Sequence, residues 1–148
     1  MANSLNFESR IGKLSCTPAD IFNFITDIRN FEQFIPTGNI NNWQASSDSC
    51  SFQVPPIGKA SVNLTEKNPY SFVAYSGDAL QKNDFKLYVH ITVDERELAE
   101  IRLNLTAELN PFLKMVASGP IENLLEKLIS EMEKFEKWNV KSTGNEPL

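Results

Sequence analysis

Between residues 40 and 109 apolar side chains return at every second position, the period of a strand with one buried face. Turn residues at 46–49, 55–58, 67–69, 77–84 and 94–97 cut this stretch into six predicted strands. In DFKLYVHITV, Phe85, Leu87, Val89, Ile91 and Val93 share one face, and Lys86, Tyr88, His90 and Thr92 share the other. AEIRLNLTAEL repeats the pattern, with Ile101, Leu103, Leu105, Ala107 and Leu109 inside. A wet outer face and short connections predict an antiparallel sheet, because parallel strands would need crossover helices that this region lacks.

Before this region, LNFESRIGKLS reads as a first strand of about ten residues, alternating loosely through Leu5, Phe7 and Ile11. Thr17-Pro18-Ala19-Asp20 is a helix start: a capping Thr, a Pro at the first helical position and an acid three residues after the cap. The helix body IFNFITDI follows. FEQFIP then adds a second short helical piece through Phe31, Phe34 and Ile35, ended by Pro36 and Gly38.

At the other end, Ile121, Leu124, Leu125, Leu128, Ile129, Met132 and Phe135 recur at helical spacing within an arc of about 140°, opposite a face of Glu and Lys. The preceding LNPFLKMVASGP is also apolar, but Phe112, Leu113, Val116 and Ala117 centre about 120° away from the later stripe. One straight helix cannot bury both, so a kink or short break is expected at Gly119-Pro120. From Pro111 to Trp138 the element would run about 40 Å, across a whole domain of this size.

With 148 residues, 41% hydrophobic and 22% charged, the chain suits one domain with a sizeable core. Nineteen acidic against 14 basic side chains give a net charge of −5, a poor match to nucleic acid or anionic lipid. No apolar leader or membrane span is read, and a cytoplasmic protein without stable membrane insertion is expected. Cys16 and Cys50 lack metal or disulfide spacing and read as buried hydrophobes. The two Asn-Leu-Thr sequences at Asn63 and Asn104 read as chance matches to a glycosylation pattern.

The order is strand, two short helices, six strands and one long helix. The α+β arrangement that accommodates it is a helix-grip: a seven-stranded antiparallel sheet curved around a long C-terminal helix, with two short helices after the first strand. On TPADIFNFITDIRNFEQFIP and LNPFLKMVASGPIENLLEKLISEMEKF the chain resembles the START-like, or Bet v 1-like, superfamily, in particular bacterial members of the polyketide cyclase and lipid transport type. The resemblance covers residues 5 to 138 in element order. It implies one ligand-binding domain over 1–140, followed by a polar, disordered tail at 141–148.

It also implies a cavity between sheet and helix holding a hydrophobic or amphipathic small molecule such as a lipid, polyketide or isoprenoid. The expected lining is Phe31, Phe34, Trp43, Phe52, Tyr75, Phe85, Leu87, Val89, Leu103 and Leu105 from the inner face, with Phe112, Met115 and Val116 from the helix where it bends. For Tyr75 either strand phase fits the sequence. The bland reading of the same residues is a core that fills its own space.

A cyclase or dehydrase on such a molecule is the alternative, and a protein-interaction module another. The enzyme would need proton-moving groups inside, yet His90, Tyr88 and Arg102 fall on the outer face, and nothing is placed to activate Cys50. No catalytic residue, metal ligand or cofactor is therefore assigned. The expected partner is a hydrophobic small molecule, bound by a monomer or weak homodimer.

Overall fold

The computed structural model describes residues 4–34, 40–54, 58–79, 83–108 and 111–138. The elements are β1 (Ser4–Glu8), β2 (Gly12–Lys13), α1 (Pro18–Ile25), a 3-10 helix (Ile28–Phe34), β3 (Asn41–Ala45), β4 (Ser49–Val54), β5 (Gly58–Asn68), β6 (Phe72–Ala79), β7 (Asn83–Val93), β8 (Ala99–Glu108) and α2 (Pro111–Lys134). The strands form one antiparallel sheet in the order β1-β8-β7-β6-β5-β4-β3, with β2 also paired to β8. The fold is the expected α+β helix-grip. The expected helix end at Pro36 and Gly38, the inward Leu109 and the tail at 141–148 lie outside the described residues, as do the side chains of Leu113 and Ala117.

The first strand is split by a one-residue slip. Glu8 pairs with Asn104, but Gly12 pairs with Ile101, so the β1–β2 segment carries one residue more than β8 opposite it. Ser9 bridges the irregularity: its N–H donates to the Leu103 carbonyl and its hydroxyl accepts from the Leu103 N–H, both at 2.9 Å. A slip of one residue turns every later side chain to the other face. Ile11, expected inside, is therefore 53% exposed, and Gly12 takes the inner position. A Cβ on Gly12 would lie 2.9 Å from Ile129 Cγ2, so α2 approaches the sheet as closely as a bare backbone allows.

The same bulge aims Arg10 at α2. Its guanidinium meets Glu126 at 3.2 Å, Glu133 at 3.0 Å and the Ser130 hydroxyl at 3.0 Å, while the Lys13 N–H donates to Glu133 at 2.9 Å. At the far edge, β3 is also irregular: its register with β4 shifts between Asn41 and Gln44, and Asn42 sits at a φ of 56°.

Thr17 caps α1 in a reciprocal box, its hydroxyl accepting from the Asp20 N–H at 3.2 Å and the Asp20 carboxylate accepting from the Thr17 N–H at 3.3 Å. The apolar face of α1 and the 3-10 helix meet the end of α2 in an aromatic cluster. Phe24, Phe34, Phe135 and Trp138 lie with ring centroids 4.8 to 5.9 Å apart, in edge-to-face and tilted pairs.

Of the kink or short break expected at Gly119-Pro120, α2 excludes the break. It runs without interruption through Pro120, although Pro120 has no N–H to give the Val116 carbonyl. Leu125, Leu128, Ile129 and Met132 are buried against the sheet, and this packing outweighs the one lost bond.

Thr17→Ala should lower unfolding free energy by about 1 kcal/mol in urea titration, through loss of the cap, and leave the folded spectrum unchanged.

Candidate functional site

The inner face of the sheet is closed at one end and half-open at the other. In β7, Val89 and Ile91 are buried while Phe85 and Leu87 are only half-buried; in β8, Ile101 and Leu103 are buried while Leu105 is half-buried. Phe52, Val62 and Leu64 continue the half-buried patch toward β4 and β5. Above it, Val116 and Ile121 of α2 pack with Leu5, Phe52, Phe85 and Leu105 around Ala60 and Ala107, and Leu5, Phe52, Leu105 and Ile121 link this group to the main core. α2 itself lies closest to β1, β2 and the 3-10 helix. The floor of the patch is shaped by Gly77, where a Cβ would lie 2.7 Å from Phe85 Cζ and would strike the Ser61 carbonyl oxygen, so the Phe85 ring lies over bare backbone.

The sequence-predicted residues divide into three groups. Trp43, Phe52, Phe85, Leu87, Leu105 and Val116 are half-buried in or beside the patch, with Trp43 and Phe52 stacked at 5.9 Å. Phe34, Val89 and Leu103 belong to the closed core. Phe31 packs edge-on against Tyr75 at 5.5 Å, and Tyr75 is fully buried, which settles its strand phase as inward.

Phe112 and Met115 are corrections: they are 69% and 76% exposed. Because α2 does not break at Gly119-Pro120, its register carries through, and burying the later stripe turns these two side chains away from the sheet. The positions that share the line of Leu125 and Ile121 in this first part of the helix are Ser118 and Lys114, which the sequence reading passed over because they are polar. Stepping back from Leu125 by threes and fours finds them. Leu5, Ile121 and Leu124 were likewise left out of the expected lining.

Tyr75 and the two thiols are committed or inert. The Tyr75 hydroxyl donates to the Ile25 carbonyl at 2.8 Å, tying β6 to the end of α1, and burial pushes its pKa well above the usual range. Burial also pushes the Cys50 thiol up to about 12 and, helped by the Asp20 charge, the Cys16 thiol up to about 12. His90 is on the outer face as expected, in a ring cluster with Phe72 at 5.3 Å and Tyr88 at 6.4 Å. Partial burial and the Arg102 charge hold its pKa below the ordinary imidazole value. Among the described residues, no three His, Cys, Asp or Glu side chains gather as a metal site, and no helix is long and apolar enough to cross a membrane.

Tyr75→Phe should cost about 1–3 kcal/mol, since it strands the buried Ile25 carbonyl. The two thiols should stay unreactive toward an aromatic disulfide reagent at about pH 8 until denaturant is added. Their raised pKa values mean that the folded chain holds protons which the unfolded chain releases above about pH 8.5, so their effect on stability is nil below that pH and destabilising as pH climbs toward 12. Replacing both by Ala should flatten that part of the stability profile.

No family model matches the sequence, and no curated protein matches it. Solved structures do. The protein XoxI from Bacillus cereus is 9% identical, with a TM-score of 0.65 over 88% of this chain and 93% of that one. Norcoclaurine synthase from Thalictrum flavum is 9% identical, with a TM-score of 0.63 over 88% of this chain and 85% of that one. A conserved protein from Geobacillus kaustophilus is 12% identical, with a TM-score of 0.61 over 88% and 91%. At these identities the likeness is one of fold: the chain shares the helix-grip architecture of norcoclaurine synthase, a Bet v 1-fold protein.

Proposed function

We propose that this protein is a START-like carrier or sensor that binds one hydrophobic or amphipathic small molecule between the sheet and the first half of α2. The observation behind this reading is the half-buried apolar patch of Phe52, Phe85, Leu87 and Leu105 facing Val116 and Ile121. A core that only filled itself would close there as it does around Val89 and Ile129. Apolar, aromatic-rich sites bind ligands by burying area, and flexible linings adapt to irregular shapes. An enzyme on the same ligand draws no support from the side chains nearby: Tyr75 is engaged by the Ile25 carbonyl, the Cys50 thiol stays protonated and His90 faces away.

The neutral fluorescent probe phenylnaphthylamine should bind with a stoichiometry of about one, with a negative heat-capacity change from apolar burial. Leu105→Trp should abolish binding by occupying the patch while the protein keeps its folded spectrum. No binding by a broad panel of apolar ligands would remove the carrier reading.

The outward Phe112 and Met115 favour a second role for that helix face, contact with a protein partner. Changing both to Ser should leave probe affinity unaltered, which separates the two roles.

A further inference from the structure

The geometry points to Lys114 as the anchor for an anionic head group, making the ligand a single-headed amphipathic anion such as a long-chain carboxylate. This inference rests on the carrier reading above and names the chemical class of its ligand.

Phe112, Met115, Gly119 and Glu122 mark the exposed side of the first half of α2; at about 100° per residue Lys114 falls on the opposite side, with Val116 on the flank that packs on the patch. Its side chain is half-buried although it carries a charge. The Ser118 hydroxyl donates to the Lys114 backbone carbonyl at 2.9 Å, but the Lys114 ammonium has no hydrogen-bond or ion-pair partner among the described residues. The more exposed Arg10, by contrast, meets two carboxylates.

Among the described residues the sheet opposite offers it nothing acidic. The inner-phase positions at this end include Phe52, Ala60, Val62, Gly77, Ala79, Phe85, Leu105 and Ala107, with Asn83 polar and none acidic. The carboxylates at the same end, Asp78, Asp84 and Glu108, alternate with that set and fall on the outer face. Glu122, the nearest acid on the following turns of α2, is exposed on another side of the helix. The sequence of the connections 55–57, 80–82 and 109–110 contains no Asp or Glu either.

An ammonium at the lip of an apolar patch is partly stripped of water, and a carboxylate held there would restore its hydrogen bonds with a charge-assisted pair. The position also lies in the first turn of α2, where the helix dipole favours an anion. A ligand with its apolar body on Phe85 and Leu105 and its head at Lys114 satisfies both halves of the site.

The test displaces phenylnaphthylamine from the full chain with dodecanoate, dodecanol and dodecylammonium, each below its micellar concentration. Native protein should bind dodecanoate about 10-fold more tightly than dodecanol, the size of one charge-assisted contact, and dodecylammonium least. Lys114→Met should erase the preference without changing dodecanol affinity or thermal midpoint, and Lys114→Arg should keep it. Added salt should narrow the native preference. Equal displacement by dodecanoate and dodecanol, or a preference that survives Lys114→Met, overturns the anchor and leaves the carrier standing. Failure of the probe and all three competitors to bind overturns the carrier reading and the anchor with it.

Discussion

The close contact between Gly12 and Ile129 sets the position of α2, and most of the structure follows from it. It exists because the segment from β1 to β2 holds one residue too many for the strand beside it. The slip brings a residue without a side chain under the helix and swings Ile11 into water, where Arg10 also emerges to hold Glu126 and Glu133. Exposed ion pairs of this kind contribute little individually. Their value here is directional: together with the Lys13 amide on Glu133 they fix the rotation of α2 about its axis while Gly12 fixes its height.

Rotation is what decides the chemistry of the site. A helix clamped through Glu126, Ile129 and Glu133 transmits its phase to its other end as long as no break intervenes, and Pro120 does not make one. Phe112 and Met115 are thereby turned outward, while Lys114 and Ser118 are half-buried. The aromatic lock of Phe24, Phe34, Phe135 and Trp138 closes the core at the opposite end, while the side chains that Val116 and Ile121 meet include the half-buried Phe52, Phe85 and Leu105. One end of the inner face is closed by this packing, while the other keeps half-buried apolar side chains.

Much of this was legible in the residues. The alternation in β7 and β8 placed His90 outside and Val89 and Ile91 inside, and the Thr17 box marked the start of α1 to the residue. What failed did so for identifiable reasons. A bulge leaves no mark on a loosely alternating strand, so Ile11 was placed by a phase that no longer held. Proline inside a helix was weighed by its local cost alone, when the tertiary packing of Leu125, Leu128, Ile129 and Met132 decides the outcome. Treating the apolar Phe112 and Met115 as lining followed from that break and hid the polar line beneath them. The side-chain roles in the patch depend on how tightly two elements approach, which no pattern along the chain encodes.

The irregularities at the two margins of the sheet bear on how the molecule coexists with its own copies. An open antiparallel sheet ends in rows of unsatisfied N–H and C=O groups that invite another chain to add a strand. Here β3, at one margin, loses its regular row between Asn41 and Gln44, where Asn42 turns through a left-handed conformation. The opposite margin is interrupted at Ser9, whose hydroxyl stands in for backbone, and is overlaid by α2. Neither margin presents a long, flat template, so a sheet with a partly uncovered apolar interior is protected against edge-to-edge aggregation by the same distortions that shape it.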